Sequence, residues 1–161
     1  MRNMMSQVKN FSKILLCGLL LLAAGCNDQN APLSLVGNKP QPTWQAPAEY
    51  DLSTSMTVIL KVSLTPSFTE AQLVAANYQR SADDRLAAFE GETCLGVGEY
   101  KAQYNAYWLY IDAPLNSDKV TIKYYSAALK NIFVATEALD YSNNGNKGAP
   151  TEPYTPLWVI E

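Results

Sequence analysis

The chain has 161 residues, with 12 Lys and Arg against 15 Asp and Glu and no histidine. Lacking histidine, it has neither the commonest general base nor the commonest metal ligand, which excludes Ser-His-Asp, Cys-His and His-containing zinc sites. A net charge of −3 with no Lys/Arg cluster argues against nucleic acid, whose binding rests largely on phosphate neutralisation.

The first thirteen residues carry Arg2, Lys9 and Lys13 and no acid, and Ile14 to Ala24 is an apolar run of eleven. Such a run is too short to span a hydrocarbon core, which needs about 20 helical residues. It has the length of the apolar region of a secretory signal. Leu22-Ala23-Ala24-Gly25-Cys26 closes it. This box resembles the lipobox of bacterial lipoproteins, with Ala23 where leucine is more usual. The resemblance implies cleavage before Cys26 and fatty acyl chains on that cysteine, and two or more such chains make a stable anchor. Cys17 is the poorer candidate, because bulky Leu16 precedes it.

Residues 1–25 are therefore predicted to be a lipoprotein signal peptide, which leaves 161 − 25 = 136 residues and a side-chain charge of 9 − 15 = −6. With Cys17 removed and Cys26 lipidated, Cys94 has no disulfide partner. Its apolar setting, Thr93-Cys94-Leu95-Gly96-Val97, predicts a buried and inert thiol.

Residues 26–48 are predicted to be the lipidated N-terminus and a linker. Pro32, Pro40, Pro42 and Pro47 exclude a regular helix or an interior strand. A fully extended polyproline form would reach about 60 Å at ~3.1 Å per residue. Trp44 marks where the chain would first meet a folded domain, expected over residues 49–161.

From Met56 on, the pattern is β. Met56, Val58, Leu60, Val62 and Leu64 alternate onto one face. Arg85–Phe89 and Thr93–Val97 flank Glu90-Gly91-Glu92, a tight hairpin connection. In Ala106–Asp112, Tyr107, Leu109 and Ile111 make the more apolar face and Trp108, Tyr110 and Asp112 the other. Strands are also predicted over Val120–Ser126, Ile132–Thr136 and Leu157–Ile160, with a long Asn/Gly/Pro loop between Tyr141 and Pro156. Thr69–Tyr78 reads as a short helix capped by Thr69, or an irregular crossover. About seven short strands separated by turns predict an all-β fold, a single β-sandwich, immunoglobulin-like or similar.

The run Asp84-Arg85-Leu86-Ala87-Ala88-Phe89-Glu90-Gly91-Glu92-Thr93-Cys94-Leu95-Gly96-Val97 contains an AAF-x-G-x-x-C-x-G-V hairpin. Thr121–Ala127, Asn131–Leu139 and Thr151–Pro156 continue a pattern that covers residues 44–158. Together they resemble a family of Bacteroidetes cell-envelope lipoproteins with a small β-sandwich domain. Leu95 stands where that family usually has a basic residue. The resemblance implies fold and outer-membrane location, and no particular chemistry.

Gly96 and Gly98 predict a bulge or a close approach of neighbouring backbone. Asp83, Asp84, Glu90, Glu92 and Glu99 match no calcium loop and read as a solvated rim. The aromatic residues are the stronger lead. Trp108 and Tyr110, joined by Tyr125 of the next strand, are the candidate ligand or partner contacts. No catalytic residue, metal or cofactor is expected. The expectation is a lipid-anchored, non-catalytic interaction or structural module. Its partner would be an envelope protein or, in the alternative, a glycan captured by a polysaccharide-binding system.

Overall fold

The computed structural model describes residues 34–48, 51, 53–113 and 118–161. The predicted signal peptide, Cys26 and residues 27–33 lie outside the described residues. Ten strands occur among them: β1 (Met56–Leu60), β2 (Arg85–Glu90), β3 (Thr93–Val97), β4 (Glu99–Lys101), β5 (Ala106–Ile111), β6 (Lys119–Ser126), β7 (Asn131–Ala135), β8 (Leu139–Asp140), β9 (Asn146–Lys147) and β10 (Trp158–Ile160). They form a four-stranded sheet, β4-β5-β1-β9, and a six-stranded sheet, β10-β7-β6-β2-β3, in which β8 also pairs with β6. The fold is an all-β sandwich.

Period-2 alternation supplies the core. In the smaller sheet Met56, Val58 and Leu60 lie opposite Ile111, Leu109 and Tyr107, all buried. In the larger sheet Leu86 pairs with Tyr124, Tyr124 with Phe133, and Trp158 with Ala135. Trp158, Tyr124 and Phe133 are the largest fully buried side chains. Tyr107 and Tyr124 meet edge-on across the two layers, with ring centroids 6.5 Å apart.

The hairpin reads as expected: β2 and β3 are joined by Gly91 and Glu92, with Gly91 at φ 57°. The pairing register shifts between Ala88 and Phe89, a bulge. Gly96 is where the backbones crowd. A Cβ there would lie 2.0 Å from the Tyr110 carbonyl oxygen, and next to it Asp112 N donates to Leu95 O at 3.0 Å. β3 thus leans against β5 and ties the two sheets along one side. Beyond Gly98 the same chain enters the smaller sheet as β4.

The segment Thr69–Tyr78 holds a short helix, α1 (Glu70–Ala75). Thr69 Oγ1 accepts from Gln72 N at 3.2 Å, and Gln72 Oε1 accepts from Thr69 N at 2.8 Å, a capping box. Six residues are marginal as an isolated helix. This one is held by its cap and by buried Leu73.

Three expectations need correction. The first strand ends at Leu60, not Leu64; turn bonds from Ser67 N and Phe68 N to Leu64 O redirect the chain there. The expected loop between Tyr141 and Pro156 is partly ordered into the sheet. β9 pairs in parallel with β1, and Tyr154 makes a parallel bridge to Leu60.

The third correction concerns the linker. From Ser34 the chain is not a free stalk but a strap over the outer face of the six-stranded sheet. Gly37 N donates to Leu129 O at 2.8 Å, Lys39 N to Lys130 O at 2.9 Å, and Gln41 Nε2 to Asp83 O at 2.9 Å. Leu35 is buried, and Trp44 packs edge-on against Phe89 at 5.4 Å. Lys39 ion-pairs with Glu161 at 2.8 Å, and Glu161 also takes Lys123 at 2.5 Å. The prolines prevent strand pairing, yet an extended segment can still cover a sheet face through side chains and a few backbone bonds.

Candidate functional site

The strap makes the two outer faces unequal. On the six-stranded sheet Ala87, Phe89 and Tyr125 point outward, yet all three are buried. On the four-stranded sheet the outward row of β5 opens toward its end, with Trp108 half-buried and Tyr110 43 % exposed.

Trp108 is half-buried, because Tyr104 lies on it. Their ring centroids are 5.3 Å apart and the planes differ by 18°. A 3-10 turn over Ala102–Tyr104 precedes β5, and Asn105 ends it in the left-handed conformation at φ 48°. Asparagine tolerates that region better than most residues. Its side chain also accepts a 2.8 Å hydrogen bond from Tyr100 Oη. This fold-back sets Tyr104 over Trp108. Thr57 and Ile59 of β1 lie opposite Tyr110 and Trp108, and Glu99 of β4 lies opposite Trp108 on the other side. Glu99 is ion-paired with Lys101 at 2.5 Å.

Trp108 Nε1 is buried and has no hydrogen-bond partner among the described residues. The surface therefore offers ring faces and the hydroxyls of Tyr104 and Tyr110, but no indole donor.

Of the three candidate contacts, the structure brings together Trp108 and Tyr110 and separates Tyr125. That residue belongs to β6 in the other sheet, is 4 % exposed, and donates from its hydroxyl to Lys39 O at 3.3 Å beneath the strap. It cannot join a strip on β5. Tyr104 takes its place. Its lone signal in the sequence is its position four residues before Trp108 across a turn-favouring Asn105.

The acidic residues separate too. Glu90 and Glu92 are exposed at the hairpin, while Asp84 is buried at 5 % exposure. Asp84 accepts from Ser81 N at 2.8 Å, Tyr124 Oη at 2.8 Å and Ala127 N at 2.9 Å. Tyr78 and Tyr124 hydroxyls meet at 3.5 Å. Burial and the nearby Tyr78 and Asp84 push the Tyr124 hydroxyl far above the ordinary phenol range. Asp84 thus anchors the start of β2 to the end of β6. Among the described residues no three Cys, Asp or Glu side chains converge on a metal-sized point. Cys94 is half-buried, its thiol directed to Gly96 O at 3.6 Å, and burial raises its pKa. That setting disfavours the reactive thiolate.

No family model, curated protein or solved structure matches this chain. No helix among the described residues is long and apolar enough to cross a membrane.

Proposed function

We propose that this protein is a lipid-anchored, non-catalytic module of the bacterial cell envelope that binds a partner through the outer face of its four-stranded sheet. One observation carries the binding surface: the protein covers one sheet face with its own strap and leaves Tyr104 and Tyr110 exposed on the other, with Trp108 half-buried beneath Tyr104. Accessible clustered aromatics are a recognised mark of interaction sites. The anchor rests on the sequence, on the charged start, the apolar run and the box ending in Cys26. The likeness of residues 44–158 to Bacteroidetes envelope lipoproteins supports an outer-membrane location. The absence of histidine supports a binding role over catalysis.

Envelope protein is the favoured partner, since Ile59 and the stacked pair form a mixed apolar and polar patch and not a flat three-ring strip. The second reading, a glycan ligand, is favoured by the accessible Tyr104 ring backed by Trp108, a platform on which a sugar ring can stack. Titrating the purified protein with a glycan panel while following tryptophan fluorescence separates the two. A saturable change lost in Tyr104→Ala assigns the glycan. A silent panel, with in-cell cross-links formed from position 110, assigns the protein.

A further inference from the structure

Where the chain passes from β3 to β4 it leaves one sheet for the other, and Gly98 makes the crossing. Its amide donates to Leu86 O at 2.8 Å. A cleft of about 440 Å³ opens at this corner, lined among others by Arg80, Asp84, Arg85, Glu99, Tyr100 and Tyr107. That volume lies in the range of small-ligand sites.

The charges in the cleft are unequally committed. Asp84 already accepts from three donors, and Glu99 is paired with Lys101. Arg85 spends Nη1 on the carbonyls of Ala82 and Asp84, at 3.2 and 2.9 Å. Arg80 is the least engaged. Its guanidinium carbon sits 3.5 Å from the centroid of the Tyr100 ring. Its Nη1 makes a 3.5 Å contact with Ser81 O, and its side chain also hydrogen-bonds the Tyr107 hydroxyl. A guanidinium carries five N–H donors in a planar fork matched to a carboxylate. Stacking on Tyr100 holds that fork in one plane and leaves most of its donors unspent.

Tyr107 completes the wall. Its hydroxyl pKa is pushed up to about 12, first by burial and then by the charge of Asp84, so it stays protonated and able to donate. Two cations and two carboxylates line the cleft, a balance that suits a single negative charge better than a phosphate dianion.

We propose that this cleft binds a small carboxylate-bearing ligand, gripped by the Arg80 fork with Arg85 and Tyr107 beside it. The site borders the aromatic face at Glu99, which pairs with Trp108, and stands whether or not that face binds a partner.

Calorimetric titration of the full chain tests it, with glucuronate and N-acetylglycine as carboxylate probes. Glucose and N-acetylglycine amide serve as their uncharged counterparts. Saturable binding of at least one carboxylate is expected, with no binding of its uncharged counterpart. Arg80→Gln should weaken it about tenfold or more, the worth of a charge-assisted hydrogen bond. Arg80→Lys, which keeps the charge but loses the fork, should fall between. Preference for glucuronate names a sugar acid, and preference for N-acetylglycine names an amino-acid or peptide-end carboxylate. No saturation with either probe, equal binding of the uncharged counterparts, or an unaltered Arg80→Gln would overturn the proposal. Should Arg80→Gln fail to fold, loss of binding in Arg85→Gln decides the matter in the same way.

Discussion

At the scale of single residues, the glycines and the buried carboxylate carry the sharpest expectations. Gly96→Ala should cost about 3 kcal/mol or more, because its Cβ would lie 2.0 Å from a backbone oxygen that two sheets hold in place. Gly91→Ala should cost only about 1 kcal/mol, since nothing lies within 4 Å and the penalty is its positive φ alone. Denaturant unfolding of the two variants measures both. Tyr124→Phe removes one of the three donors to buried Asp84 and should cost about 1–3 kcal/mol. The tyrosines also predict an alkaline limit. A hydroxyl whose folded pKa is raised stabilises the fold fully below the unfolded value near 10, and that stability is lost as pH climbs through the folded value. For Tyr107 the loss runs from about 10 to about 12. A tyrosinate absorbance titration should therefore show Tyr107 and Tyr124 ionising only with unfolding. The crowding at Gly96 was legible in the sequence, because a glycine inside a strand pattern signals close backbone approach. The fate of Asp84 was not. Nothing local distinguishes it from Asp83, and its partners Tyr124 and Ala127 lie some forty residues on.

At the scale of elements, the strap is the part that reads in the sequence as a linker. Its prolines correctly excluded a strand, but a segment that cannot pair can still pack. Trp44 and Leu35, apolar residues in a polar stretch, were the legible clues; Lys39 was not, since its partner Glu161 lies at the other end of the chain. Trp44→Ala should strip cover from Phe89 and lower stability by about 3 kcal/mol, toward the low end of large-to-small aromatic changes because Trp44 is half-buried. The far end of the strap is sensitive to acid. Hydrogen bonds from Lys123 and Lys39 hold the Glu161 carboxyl below its ordinary range. A depressed folded pKa gives stability that is present above the unfolded value and disappears as pH falls through the folded one. Amide exchange at Gly37 and Lys39 should accordingly quicken below the ordinary glutamate range while exchange in β6 and β7 stays slow. Equal quickening in all three segments would mean that the whole domain loosens and that Glu161 does not clamp the strap. Strand alternation, by contrast, was readable almost throughout. The missed elements, β4, β8 and β9, are two or three residues long and form only because longer neighbours offer them an edge.

For the molecule as a whole, one sheet is covered by the strap, the other exposes Tyr104 and Tyr110, and the proposed anchor lies at Cys26. Cys26→Ser should release the protein from the membrane fraction into the soluble one, and retention on the membrane would contradict lipidation at that residue. Two of the three residues of the candidate surface were legible, because β5 had to turn Trp108 and Tyr110 outward once Tyr107, Leu109 and Ile111 faced the core. Tyr125 misled because sequence adjacency of strands does not say which sheet each joins. The most direct test of the central claim is a photo-activatable cross-linker placed at Tyr110 in living cells. The same probe at Val74, exposed on α1, serves as the control. The account predicts a discrete adduct from position 110 that fades when Tyr104 is changed to Ala, and none from position 74. No adduct at 110, or the same adducts from both positions, would contradict it.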